Sequence, residues 1–428
     1  MTETTTRRPA APAAAGAPIR FRPDVEGLRA VAVVLVVLCH AGVPGLAGGY
    51  VGVDVFFVVS GFLLTALMLR EIGRTGDLSL IGFYARRARR LLPAAAVVLV
   101  ATLLAGYHWL GYRRGDEIAE DVVWSALFAG NFHLTADGFS PVQHFWSLAV
   151  LAQFSLVWPA AVVVLLWLGF RWAIGWWLAA AVVASLAYTI LSSGSFSPAT
   201  RGWELGVGSL LALVATRLDR IPSRVATAMA GTGLALIVVA ALSFDAATPS
   251  KYAAVLPVLG AVLVLAGRGD SVLGRKPLVA LGRLSYSFGL WHWPVLVIAG
   301  QAYGGPLPAP SRALLVAAAL GLAVITYVCL ENPIRRSAHL RRSYVLSLSL
   351  AAWLIVAPLA VARWQTSTSP AADPRNGAEY RPRLGALHGR PLDSSHVTGR
   401  AAGRDHQLHD RDPAAPARAR PARPTDQP

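Results

Sequence analysis

Cysteine is nearly absent, with two residues in a chain of 428, Cys39 and Cys329. Both lie in apolar runs, so neither a disulfide framework nor a cysteine-based zinc site is expected, and no metal site is read from the chain. Charge is also scarce at 14% of residues, and acidic charge scarcer still, with 23 Asp and Glu against 39 Lys and Arg. A soluble domain carries nearer ~25% charged residues. No basic domain is interleaved with aromatics, which argues against nucleic acid as a partner despite a net charge of +16. What fills the space instead is apolar, at 55% of residues. Apolar runs of ~17–25 residues recur, the length that crosses a hydrocarbon core. The fold class expected is all-α, a polytopic membrane helical bundle with the lipid bilayer as a partner.

Spans are expected near 28–46, 51–69, 91–110, 145–169, 171–192, 203–217, 224–243, 252–267, 284–301, 311–330 and 344–362, about ten core spans plus an eleventh. With the N-terminus in the cytoplasm, the inner loops hold Arg86, Arg87, Arg89 and Arg90, then Arg217, Arg220 and Arg224, then Arg335, Arg336, Arg341 and Arg342. The outer loops hold few basic residues, as the positive-inside rule requires. This works only if 118–134, with Glu120, Asp121, Asn131 and His133, does not cross; a re-entrant or interfacial helix is expected there. The localisation read from this is a multi-pass protein of the cell membrane, N-terminus cytoplasmic and C-terminus extracytoplasmic. Residues 1–20 read as a disordered cytoplasmic tail and 364–428, rich in Pro, Ala and Arg, as a disordered extracytoplasmic tail. The domain between covers 21–340, with an additional transmembrane helix at 341–363.

Two ionisable residues stand out against the apolar background. Arg29 and His40 bracket ten apolar residues in the first span. Eleven steps of ~100° return a helix to within ~20° of its starting direction, so both side chains share one face, ~16 Å apart along the axis. Ionisable groups in such a setting are costly, and the default reading is functional. A histidine can also serve as a hydrogen-bonded core residue between helices, and that reading stays open for His40. His292, between Trp291 and Trp293, is a second imidazole inside a span; an aromatic-belt residue is the alternative there. Asp54 and Glu204 near span ends need a partner or water, and Arg201 beside Glu204 offers an interfacial ion pair.

Several stretches occur in a telling order: Phe21-Arg22-Pro23-Asp24-Val25-Glu26-Gly27-Leu28-Arg29-Ala30 running on to His40, and Gly48-Gly49-Tyr50-Val51-Gly52-Val53-Asp54 leading to Ser60-Gly61-Phe62. Phe83-Tyr84-Ala85-Arg86-Arg87-Ala88-Arg89-Arg90 follows, then His144-Phe145-Trp146-Ser147-Leu148, Arg201-Gly202-Trp203-Glu204 and Leu290-Trp291-His292-Trp293-Pro294. Together they resemble the membrane acyltransferase-3 family, which O-acylates cell-surface polysaccharides, peptidoglycan, lipid-linked sugars and some antibiotics. The resemblance covers roughly residues 20–340. It implies an O-acyltransferase with acyl-CoA as donor and co-substrate, no bound cofactor, and a glycan, lipid-linked sugar or secondary metabolite as acceptor. The acyl group implied is acetyl. By that resemblance His40 is the general base and Arg29 holds a donor phosphate or orients its carbonyl oxygen. Arg86, Arg87, Arg89 and Arg90 become binding groups for coenzyme A phosphates, although anionic lipid heads suit them equally. Ser60, Asp54, His144, Arg201, Glu204 and His292 complete the candidate substrate-binding set.

The chain departs from the family at two places. Family members carry one or two Glu shortly after the Trp-Ser-Leu block, then an aromatic hydroxyl; here Leu151, Ala152 and Ser155 stand in those positions. If such a carboxylate orients the histidine, either Asp54 or Glu204 replaces it or the protein is a catalytically degenerate scaffold. Many relatives with an eleventh span also continue into an outer hydrolase-like domain with a Gly-Asp-Ser block. Residues 364–428 show none, and one reading is a truncated or frame-shifted end. A proton-coupled transporter using His40 and His292 is a further alternative, but paired repeats with broken helices are not seen.

Overall fold

The computed structural model describes residues 22–134, 139–192, 196–245, 248 and 250–370, and these are helical with no strand among them. Its long helices are α1 (Pro23–His40), α2 (Gly52–Thr75), α3 (Leu80–Leu110), α4 (Tyr112–Ala126), α5 (Phe145–Trp167), α6 (Ile174–Leu191), α7 (Pro198–Leu218), α8 (Ser223–Ser243), α9 (Val255–Gly267), α10 (Lys276–Tyr303), α11 (Ala309–Thr326) and α12 (Tyr344–Thr368). Each of the eleven expected spans falls on one of them. Seven helical segments among the described residues are long and apolar enough to cross a membrane; α1, α7, α9 and α10 are not among these. Helix α4 is not among them either. It buries Ile118, Ala119, Val122 and Ala126 on one face and packs against α3 and α12.

Several boundaries differ from expectation: helix α2 runs on to Thr75, past 69, and helix α10 starts at Lys276, before 284. Helix α1 ends at His40 rather than near residue 46, because Gly42 takes φ +68° and Pro44 follows. Helix α3 starts at Leu80, where the Ser79 hydroxyl accepts from Gly82 N at 3.2 Å, so the arginine cluster lies inside the helix and not in a loop. Helix α12 runs on to Thr368, past the expected end at 362. The tails at 1–20 and 371–428 lie outside the described residues.

Helix α1 is central, packed between α10 and α2. Pro23 opens it, and Asp24 and Glu26 in its first turn favour the positive end of the helix dipole. The α2–α7 crossing is set by glycine: a Cβ on Gly61 would lie 1.9 Å from Leu205 O, and one on Gly208 2.0 Å from Val58 O. Backbones therefore touch, as small residues allow between helices in lipid. The crossing brings the start of α2, with Asp54, against the start of α7, with Arg201 and Glu204.

Candidate active site

A cavity of about 580 Å³ runs beside α1, walled by α1, α2, α3, α5, α7 and α10. Arg29 and His40 both line it, as their common helical face requires. Arg87 and Arg90 stand with Arg29 at one end; His144, His292, Asp54 and Arg201 lie toward His40 at the other, and Ser60 lines the wall.

The arginines of α3 divide by helical face. Arg87 and Arg90, ~60° apart around the axis, face the cavity. Arg86 and Arg89 point elsewhere. Arg86 is exposed and pairs with Glu71, while buried Arg89 donates to Leu340 O at 2.5 Å and to Ser347 Oγ at 2.6 Å, tying α12 to α3. The Arg87 guanidinium donates to Ser155 Oγ at 3.2 Å, so the hydroxyl at this departing position has a partner. Arg29 is held by Glu26 Oε2 at 2.9 Å. Glu331, fully buried in the π-helical turn Tyr327–Glu331, accepts from Ser287 Oγ at 2.8 Å and lies 3.9 Å from Arg335.

At the other end, Arg201 Nη1 donates to Asp54 Oδ1 at 3.1 Å and to Glu204 Oε1 at 3.0 Å. Glu204 and Asp54 are thus both spent on one guanidinium. Glu204 is wholly buried and does not line the cavity. The arginine also lies 5.7 Å above the Trp146 ring, a cation–π contact. Neither carboxylate is hydrogen-bonded to His40 among the described residues. Leu151, at one of those departing positions, lines the cavity, whereas Ala152 does not.

His40 meets another imidazole instead. Its Nδ1 lies 3.0 Å from His292 Nε2, and the ring planes differ by 3° with centroids 5.3 Å apart. That separation is the N···N distance plus the two ring radii, so both nitrogens lie on the line joining the centroids. The rings are edge to edge in nearly one plane, the geometry of a good hydrogen bond rather than of a stack. The Trp293 ring meets His40 edge-on at 4.5 Å. His144 is fixed by a proline: Pro294 has no N–H to give the carbonyl four residues back, and His144 Nε2 donates to that carbonyl, Leu290 O, at 3.0 Å. Sequence reasoning missed Trp293 and this link, although Pro294 inside an apolar run was a visible signal for a freed carbonyl. It also missed Tyr286 on the cavity wall, whose hydroxyl donates to Leu91 O at 2.6 Å.

Fold and site define a multi-pass membrane protein built around a buried, mostly apolar cavity, with arginines at one end and imidazoles at the other. The chain belongs to a family of acyltransferases: the profile of the Acyltransferase domain matches residues 22–328. It is 30% identical over 354 residues to the peptidoglycan O-acetyltransferase of Listeria monocytogenes, covering 75% of this chain and 57% of that one. It is 29% identical over 348 residues to the O-acetyltransferase of Staphylococcus aureus, covering 74% of this chain and 58% of that one. The matched part thus spans somewhat over half the length of these relatives. No solved structure matches the chain.

Proposed function

We propose that this protein is a membrane O-acetyltransferase that moves an acetyl group from acyl-CoA to a hydroxyl of a cell-surface glycan. The observation that carries the reading is the single cavity that joins Arg29, Arg87 and Arg90 to His40. Three guanidinium groups suit the phosphates of coenzyme A. The ~16 Å of helix between Arg29 and His40 is comparable with the phosphopantetheine arm that carries the thioester. Phosphates held by the arginines would then present the acyl carbon near the imidazole. His40 takes the proton of the acceptor hydroxyl as its oxygen bonds to the acyl carbon. The carbon–sulfur bond breaks, and the thiolate leaves with that proton. This reading places the arginine end in the cytoplasm, where the positive-inside pattern also puts it. The names of the relatives support peptidoglycan as the acceptor class.

A second reading is a degenerate scaffold, favoured by apolar Leu151 in the cavity wall and by the lack of a carboxylate on His40 among the described residues. Acyl transfer by purified protein in proteoliposomes, with acetyl-CoA outside or inside and a glycan acceptor on the opposite face, separates the two. Transfer by wild type supports the enzyme; no transfer by wild type, with gain on Leu151→Glu, supports degeneracy.

A further inference from the structure

The geometry points to His292 as the residue that positions His40, doing with a neutral imidazole what a carboxylate does in a nucleophile–base–acid triad. The inference rests on the reading of His40 as the base. A neutral imidazole carries one proton, on either Nδ1 or Nε2. His40 accepts a proton at Nε2 only if its own proton sits on Nδ1. That Nδ1 faces His292 Nε2 at 3.0 Å along the line of the ring centroids. The Nδ1–H therefore donates to a lone pair on His292 Nε2, which puts the His292 proton on its Nδ1.

The surroundings favour this tautomer over its opposite. His144 Nε2 must carry a proton to donate to Leu290 O, so neutral His144 has a bare lone pair on Nδ1. His144 sits beside His292, ring centroids 5.8 Å apart, while the His292 ring nitrogen that does not face His40, Nδ1, lies against the backbone carbonyls of Phe288 and Gly289 one turn back. In the tautomer proposed, His292 Nδ1–H donates to those carbonyls, which can only accept. In the opposite tautomer a bare His292 Nδ1 would face the same carbonyls, lone pair against lone pair, and His40 would present Nε2–H to the cavity and could not act as a base. Pro294 frees Leu290 O, which fixes His144 beside His292.

The consequence during acyl transfer is electrostatic. When Nε2 of His40 takes the acceptor proton, the imidazolium keeps a charge-assisted Nδ1–H···N bond to His292. No proton need move to His292. The edge contact of Trp293 at 4.5 Å limits rotation of the His40 ring, so the tautomer and the direction of Nε2 are set together.

Two readouts test this on the full-length protein in lipid nanodiscs. Imidazole nitrogen NMR on 15N-histidine protein, with His40→Gln used to assign its signals, should show His40 protonated at Nδ1 and bare at Nε2. In His292→Leu that signature should shift toward Nε2–H. Kinetics should show about a hundredfold fall in kcat for His292→Leu with KM for acetyl-CoA unchanged, within the usual range for a positioned base. His292→Gln, whose amide oxygen can accept from Nδ1–H, should recover part of kcat. A protonated Nε2 on His40 in wild type, or an unchanged kcat in His292→Leu where His40→Ala is inactive, overturns the inference. If wild type transfers no acyl group, the functional reading fails, and the NMR signature alone decides the positioning role.

Discussion

The two ends of the cavity place different demands on single residues. Among the described residues, Arg201 is the one cation paired with both buried Asp54 and Glu204. Its removal leaves two carboxylates side by side with no counter-charge. Arg201→Met is expected to destabilise the protein by about 3–5 kcal/mol, the usual cost of orphaning a buried charge. Thermal unfolding in detergent measures it, and Glu204→Gln, which leaves Asp54 paired, should cost clearly less. On the proposed reading, His40 bears on chemistry rather than on folding. It is the last residue of its helix and lines the cavity, so His40→Ala should unfold like wild type while losing transfer by about 10²–10⁴-fold. Both histidine partners were quoted in the sequence motifs. Their pairing was not legible, because residues 40 and 292 are brought together only by the α1–α10 packing.

At the scale of the helix, faces decide function. Four arginines within five residues look alike in sequence, but only Arg87 and Arg90 face the cavity; Arg86 and Arg89 are engaged by Glu71 and by the α12 segment. Arg87→Ala and Arg90→Ala should each raise KM for acetyl-CoA about tenfold or more, consistent with the loss of one charge-assisted contact of ~1.5–3 kcal/mol. Arg86→Ala should leave KM unchanged, and a titration of initial rate against acetyl-CoA in membranes checks all three. The α2–α7 crossing makes a different prediction. A leucine at Gly61 has no room against Leu205 O, so Gly61→Leu should cost at least about 1–3 kcal/mol by overpacking and separate Asp54 from Arg201. A fall in melting temperature without a rise would be seen; an unchanged one would contradict the close approach. Helix positions were readable from apolar run length, and the motif glycines were noted as packing residues. Their partners were not readable, since nothing in one helix's pattern names the helix that crosses it. The α1 end was misplaced by six residues because the apolar run hid the stop signal at Gly42 and Pro44.

For the whole molecule, the scarcity of charge sorted the chain into the membrane class, and the few charges left inside the spans marked the site. Nine of the twelve candidate residues line one cavity, Arg86, Arg89 and Glu204 being the exceptions. Arg29 and His40 were legible because both lie on one helix, whose period fixes their common face. The ion trio at Asp54 was not, because it draws on two helices. Leu151 in the cavity wall raises a gain-of-function expectation: Leu151→Glu should alter transfer, while Ala152→Glu, outside the lining, should not. Acetyl transfer assays on matched membrane preparations of the two variants distinguish the positions.

The proposed transfer carries an acyl group through one cavity, from a donor at the arginines to a hydroxyl at His40. Its most direct test is transfer of labelled acetyl from acetyl-CoA to glycan by reconstituted wild type and His40→Ala. Alkali-labile label on the glycan with wild type, lost with His40→Ala at equal protein and equal melting temperature, is the predicted result. Equal labelling by the two proteins would contradict it.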